Sequence, residues 1–181
     1  MSMNLEQPDP GAITLYADGA CSPNPGKGGY GVILVCDGVR RELSGGFRKT
    51  TNNRMELFSV IAGLTSFEQD NLLVTVYSDS KYVVDMYMGG YARRWKANGW
   101  RRGRDPALNS DLWDTLLGLC DKHRVDFRWV RGHSEHPENT RCDELAVQAR
   151  QSDNLPADEF FESLEKVVKA EQLPLFDVGM I

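Results

Sequence analysis

Asp18, Glu56, Asp79 and Asp143 are the residues of this 181-residue chain whose type and setting could do chemistry. Taken singly, each has an ordinary explanation. Asp18 precedes a Gly-, Pro- and Asn-rich loop running from Gly19 to Gly26, where a turn carboxylate is common. Asp79 stands between a strand-like and a helix-like stretch and could cap the helix. Glu56 follows Asn53 at capping-box spacing, and Asp143 lies in a helical stretch where a solvated charge is the default. Their joint placement says more. Alternation puts Asp18 on the strand face of Thr14 and Tyr16, and Asp79 on the face of Thr75 and Tyr77, so two strands share one polar-aromatic pattern that ends in an acid. Glu56 heads the helical line Val60, Gly63 and Phe67, and Asp143 flanks Cys142, Ala146 and Ala149.

Acids brought together at strand ends and helix starts repel by about 4 kcal/mol per close pair at an effective dielectric near 20. Such a cluster needs a cation. All-oxygen ligation suits magnesium, with manganese a substitute. Two such ions about 4 Å apart would activate a water and stabilise the leaving oxygen of an in-line displacement, which is phosphodiester hydrolysis.

The elements that must position these acids can be read from periodicity. Ile13–Ala17 reads as a strand, and Tyr30–Cys36 and Val39–Phe47 as two more, joined at Asp37-Gly38. From Asn53 to about Glu68 the period becomes helical through Leu57, Val60, Ile61, Leu64 and Phe67. Leu72–Ser78 alternates again, Ser80–Met88 and Asp111–Lys122 read as helices, Val125–Val130 as a strand and Glu138–Arg150 as a helix. This order predicts an α/β fold, a mixed sheet with helices on its faces. Residues 89–110, with four Gly, a Pro, two Trp and many Arg, break the pattern as a surface excursion.

The expected organisation is a polar tail over 1–11, a catalytic body over 12–152 and a C-terminal extension over 153–181. Pro156 suits the first turn of a helix, and Phe160, Phe161, Leu164, Val167 and Val168 form an apolar stripe. The formal charge of -5 resides in that extension: residues 153–181 hold 2 Lys+Arg and 7 Asp+Glu, leaving 19 and 19 of the totals of 21 and 26 for residues 1–152. A neutral body with four acids committed to metal would show a cationic surface, so the overall charge does not argue against nucleic acid. The four cysteines lack C-x-x-C spacing and no stretch is long enough to span a bilayer, so a reduced, cytoplasmic setting is expected.

The chain resembles the type 1 ribonuclease H family over roughly residues 12–150. The resemblance is carried by Tyr16-Ala17-Asp18-Gly19-Ala20-Cys21, Asn24-Pro25-Gly26, Gly28-Gly29-Tyr30-Gly31, Thr51-Asn52-Asn53-Arg54-Met55-Glu56-Leu57, Ser78-Asp79-Ser80-Lys81-Tyr82-Val83, Trp129-Val130-Arg131-Gly132-His133 and His136 through Asp143 to Ala146. It implies a five-stranded mixed sheet and an endonuclease that cuts the RNA strand of RNA/DNA hybrids, leaving 5'-phosphate and 3'-hydroxyl ends. It also implies that Asp18, Glu56, Asp79 and Asp143 hold two magnesium ions and that His133 assists proton transfer or product release. An imidazole that titrates near neutrality suits that duty. Asn24, Asn52 and Asn53 match positions that reach the minor groove of the hybrid, where 2'-hydroxyls mark the RNA strand. Arg93, Arg94, Trp95, Lys96, Trp100, Arg101, Arg102 and Arg104 resemble the family's basic protrusion, with cations for phosphates and aromatic planes for sugars or bases. Lys81 stands where many members have Gln, which exchanges a base contact for a phosphate contact. With no hybrid-binding module ahead of residue 12, the chain resembles the compact bacterial members, and a monomer is expected. His133, His136 and Cys142 lack the fourth ligand that a structural zinc site requires.

Gln172-Leu173-Pro174-Leu175-Phe176 is similar to the short peptides by which bacterial replication and repair proteins bind the sliding clamp. Gln172 would fix one end by hydrogen bonds while Leu175 and Phe176 fill an apolar pocket.

Overall fold

The computed structural model describes residues 11–132 and 136–171, without the side chains of 168–171. Most of the expected N-terminal tail, His133 and the segment carrying Gln172, Leu175 and Phe176 lie outside the described residues. The order is β1 (Ile13–Cys21), β2 (Gly26–Cys36), β3 (Val39–Thr50), α1 (Asn52–Thr65), β4 (Leu73–Ser78), α2 (Lys81–Met88), α3 (Tyr91–Ala97), β5 (Arg101–Arg102), β6 (Asp105–Pro106), α4 (Ser110–Lys122), β7 (Arg124–Trp129), α5 (Pro137–Ala149) and α6 (Glu159–Glu171).

The main sheet has five strands in the order β3-β2-β1-β4-β7. β1, β2 and β3 are antiparallel, and β4 and β7 join in parallel beside β1. The turn between β2 and β3 is at Asp37-Gly38, both at positive φ (48° and 79°), the conformation a two-residue hairpin requires. Alternate residues of β1 and β2 sort to the two faces. Leu15, Ala17, Val32 and Leu34 pack with Leu57, Val60 and Leu64 of α1 and with Trp113, Leu116 and Leu117 of α4, whereas Ile33, Tyr16 and Val35 meet Cys142 and Leu145 of α5. Each such Val or Leu, fully buried, contributes about 1.5–3 kcal/mol. Trp113 can be buried at this cost because its Nε1–H donates to Tyr82 Oη at 3.1 Å.

Two close approaches set where α1 and α5 lie. A Cβ at Gly19 would stand 2.3 Å from the backbone carbon of Met55, and one at Gly31 would stand 2.1 Å from the carbonyl oxygen of Cys142. The helices therefore rest directly on strand backbone, one on each face, next to Glu56 and Asp143.

Several boundaries differ from expectation. β1 does not stop at Asp18: it continues to Cys21 because β2 pairs with it as far as Cys21↔Gly28. The excursion over 89–110 holds a short helix, α3, and the two-residue strands β5 and β6, so it is ordered by local hydrogen bonding despite its glycines. Pro156 is not in the first turn of the last helix. Its carbonyl instead accepts from Arg48 N–H at 2.8 Å, and α6 starts three residues later behind Asp158, whose Oδ1 accepts from Phe161 N–H at 3.3 Å. α6 is fastened by its acids more than by its apolar stripe, since Phe160, Leu164 and Val167 remain exposed. Asp158 takes Arg54 and Thr50, Glu162 takes Arg48, and Glu165 takes Lys49. Among the described residues no helix is long and apolar enough to cross a membrane.

Candidate active site

β1 and β4 run parallel in the register Thr14↔Thr75 and Tyr16↔Tyr77, and the two tyrosines stack with centroids 5.1 Å apart. Two residues beyond each tyrosine are Asp18, still on β1, and Asp79, just past the end of β4, where the ladder between the two strands has ended. The shared strand pattern thus delivers two acids side by side. α1 brings Glu56 from one face of the sheet and α5 brings Asp143 from the other. All four carboxylates line one open cavity of about 370 Å³, together with Gly19, Ala20, Cys21, Ser22, Asn52 and Arg150.

The ordinary explanations for two of these acids fail on geometry. The cap of α2 is Ser80, which accepts from Val83 N–H, so Asp79 is left outside the helix. The cap of α1 is Thr51, which places Glu56 beyond the first turn, where it cannot complete a capping box. Glu56 instead accepts from Asn52 Nδ2 at 2.7 Å and from Ser80 Oγ at 2.5 Å. Asp79 is fixed at both ends of the residue. Its carboxylate accepts from Asn139 Nδ2 at 3.3 Å, and its carbonyl accepts from Trp129 Nε1 at 3.0 Å. Gly132 is required beside it, because a Cβ there would come within 2.7 Å of Asp79 Oδ2.

Burial, and next the charge of Asp79, push the Asp18 carboxyl up to about 8. Asp143 and Glu56 add to the rise, and the hydrogen bond from Gly19 N–H, 2.7 Å from Oδ1, opposes it. Burial likewise raises Glu56, against the Ser80 hydrogen bond and with a further rise from Asp79. Among the described residues the acids do not close into a ready-made cage of three or more ligands. They line the cavity wall, which is the arrangement that mutual repulsion favours. A set of carboxylates in which burial and then neighbouring charge raise Asp18 and Glu56 fits a divalent cation, since the ion supplies the missing positive charge.

A stability prediction follows. The folded chain without metal keeps a proton on Asp18 up to about pH 8, whereas the unfolded chain releases it near 3.8. Folded protein thus binds more protons between those values, and metal-free stability falls as pH rises through that window, by several kcal/mol at about 1.4 kcal/mol per unit. Melting temperatures with chelator should drop between pH 5.5 and 8.5, and added magnesium should restore most of the drop at pH 8.5. A metal-free melting temperature that rises over that range would contradict this account.

The remaining predicted residues divide. Asn52 joins the acids, whereas Asn24 and Asn53 line a neighbouring cavity of about 560 Å³ with Thr51, Asn109, Phe160 and Leu164. Asn24 Oδ1 also accepts from Asn52 N–H at 3.2 Å, so the asparagines brace one another. Lys81 sits over the Trp129 ring, 5.2 Å from its centroid. In the basic excursion Trp95 and Trp100 are half-buried and pack on the core, so they anchor the excursion and do not present full aromatic faces. Arg93 pairs with Asp121 and Lys96 with Asp114, Arg94 lies over Tyr91, and Arg101 donates to the carbonyl of Arg104; Arg94, Arg101, Arg102 and Arg104 are exposed. Sequence reasoning missed Ser80, Asn139 and Arg150. Ser80 and Asn139 stand inside the recognised motifs, whereas nothing in the spacing singled out Arg150.

Comparison with known proteins gives a consistent result. The RNase H family model matches residues 10–151. A ribonuclease H of Trichodesmium erythraeum is 57% identical over 147 residues, covering 81% of this chain and 93% of the relative. Ribonuclease HI of Synechocystis is 53% identical over 154 residues, covering 84% and 96%. Among solved structures, LC9-RNase H1, described as a type 1 RNase H with the type 2 active-site motif, is similar with a TM-score of 0.69 at 32% identity, covering 92% of this chain and 86% of that one. LC11-RNase H1, solved with an RNA/DNA hybrid, shares the fold with a TM-score of 0.60 at 23% identity, covering 77% and 96%.

Proposed function

The chain belongs to the ribonuclease H family, metal-dependent hydrolases that cut the RNA strand of RNA/DNA hybrids, and from that premise we propose how its own residues do so. The reading rests on one observation, the convergence of Asp18, Glu56, Asp79 and Asp143 on a single open cavity from four separate elements. These four would hold two magnesium ions, or manganese, which when bound supply an activated water and charge stabilisation at the leaving oxygen. The protein's share is positioning. Asn52 and Ser80 orient the Glu56 carboxylate, Asn139 and Trp129 fix Asp79, and the direct helix-to-strand contacts hold α1 and α5 at a set distance. His133, outside the described residues, takes the proton-transfer or product-release role, and the cut leaves 5'-phosphate and 3'-hydroxyl ends.

Asn24, Asn52 and Asn53 read the minor groove of the hybrid, and Lys81 with the exposed arginines of the excursion grips phosphates. Four thiols without a disulfide agree with a reducing, cytoplasmic setting. The test is cleavage of labelled RNA/DNA, RNA/RNA and DNA/DNA duplexes with magnesium and with chelator. Only the first should be cut, only with metal, and cleavage that persists in chelator would end the proposal.

The Gln172–Phe176 peptide follows α6 and is offered to the bacterial sliding clamp, where it would raise the local concentration of enzyme near primer hybrids. Changing Gln172, Leu175 and Phe176 to Ala should abolish capture of the chain on immobilised clamp. Equal capture of wild type and variant would remove the clamp from the account.

A further inference from the structure

We propose that Arg150 is a substrate-positioning residue that grips a phosphodiester of the RNA strand beside the one being cut. This deepens the hybrid-cleavage reading and rests on it. Arg150 lines the same cavity as the four acids, yet among the described residues it makes no ion pair with any of them. Its guanidinium lies toward the wall formed by Cys21 and Ser22, where Nη1 makes one long hydrogen bond, 3.4 Å, to the Ser22 carbonyl. Its Nε is buried and has no hydrogen-bond partner among the described residues. A buried donor left unmade is costly, and one kept at the edge of a substrate cavity is paired when the substrate is present.

The residue is held to this place by its backbone. It caps the C-terminus of α5, with its N–H donating to the Ala146 carbonyl at 3.1 Å, and a Cβ at Gly29 would come within 2.7 Å of that same nitrogen. The side chain therefore projects from a fixed point on the lining of the cavity that also holds the four acids. The fitting partner is an anion with two oxygens side by side, because a planar guanidinium fork matches the two non-bridging oxygens of a phosphodiester, and the polyanion that enters this cavity is the RNA strand. The four acids would hold cations that meet the scissile phosphate, so the phosphate left for Arg150 would be a neighbour.

The experiment compares wild type, Arg150→Ala and Arg150→Lys on hybrids whose RNA strand carries a single methylphosphonate, moved one position at a time. Arg150→Ala should raise KM about tenfold, with most of the loss in KM and not in kcat, and should lower the slope of log affinity against log salt by about 0.9. Arg150→Lys should recover less than half of the lost affinity, because it keeps the charge but not the fork. Neutralising one particular phosphate near the cut should weaken wild type about tenfold and leave Arg150→Ala unaffected. If both proteins show the same methylphosphonate profile, the proposal is overturned, as it is if the alanine variant keeps the wild-type KM. Should Arg150→Ala melt too low to assay, the lysine variant answers the same question through the same profile. Failure of wild type to prefer hybrid over the other duplexes would instead sink the parent reading, whatever Arg150 does.

Discussion

Asp18→Asn is expected to lower hybrid cleavage in magnesium by at least about 10³-fold, or roughly 4 kcal/mol of transition-state stabilisation, while raising the melting temperature of the metal-free protein. The two effects share one cause. Asp18 is half-buried beside Asp79, Asp143 and Glu56, and its partial burial with those charges holds its carboxyl up at about 8. The amide has nearly the same shape and keeps an oxygen that can accept from Gly19 N–H, so the fold loses nothing while the like charges lose one member. The cation loses an anionic oxygen at the position most surrounded by other acids. Such an exchange of stability against function is common where a site concentrates like charge. The measurements are single-turnover cleavage, hybrid affinity in chelator, and melting at pH 8.5 with and without magnesium. Affinity in chelator should stay within about threefold, since Asp18 itself makes none of the proposed contacts to the groove and phosphates. Activity within tenfold of wild type would remove Asp18 from the mechanism, and an unchanged metal-free melting temperature would remove the electrostatic account of why it is costly.

The second large effect lies away from the chemistry. Arg54 is 3% exposed and donates to two carboxylates at once: Nη1 and Nη2 reach Asp111 at 2.8 and 2.7 Å, and Nε and Nη2 reach Asp158 at 2.6 and 2.7 Å. Phe160 lies against the same guanidinium, 5.4 Å from its centre. Burial alone would favour loss of the proton, but the hydrogen bonds to Asp111 and Asp158 outweigh it and hold the group above its ordinary value. Arg54→Ala strands Asp158, itself 5% exposed, with the Thr50 hydroxyl and the Phe161 N–H beside it but no cation among the described residues. Removing one member of a buried pair costs about 3–5 kcal/mol. At about 2–4 °C per kcal/mol for a chain of this size, the melting temperature should fall by roughly 10 °C. Arg54→Lys should fall by less but still measurably, because an ammonium cannot serve two forks. Truncation after Ser152 should cost as much as Arg54→Ala, since it leaves the guanidinium half-paired. A truncated chain that melts within 2–3 °C of wild type would show that α6 is an ornament on the body and not part of it.

That result bears on what the sequence made legible. The sheet, the major helices and the carboxylate cluster could be read because each follows a local rule: period 2 in the strands, helical period in α1, and a Tyr-x-Asp ending repeated at Tyr16 and Tyr77. The seam between α6 and the body could not be read so. Arg54 and Asp158 are 104 positions apart, and either one alone is just a charged residue in a helical or turn-like context. Ser80 and Asn139 were within the recognised motifs, but a hydrogen bond from one side chain to another in a different element has no period to announce it. The packing of Trp95 and Trp100 could not be read either: aromatic residues among arginines look like a contact surface, and only the structure shows them half-buried against the core as well.

The parting of β1 and β4 beyond Tyr16 and Tyr77 has a further consequence. On that side β1 runs on to Cys21 without a neighbouring strand, which gives the middle of the sheet something like an internal edge. Exposed edges invite other chains to add a strand and are a common start of aggregation. Here the opening is already occupied: Asn52 takes the Cys21 amide through its side-chain oxygen at 3.1 Å, and Asp18, Glu56, Asp79 and Asp143 line the space that an intruding strand would have to enter. The side chains proposed to hold the cations thereby also make that edge a poor template for a strand from another copy.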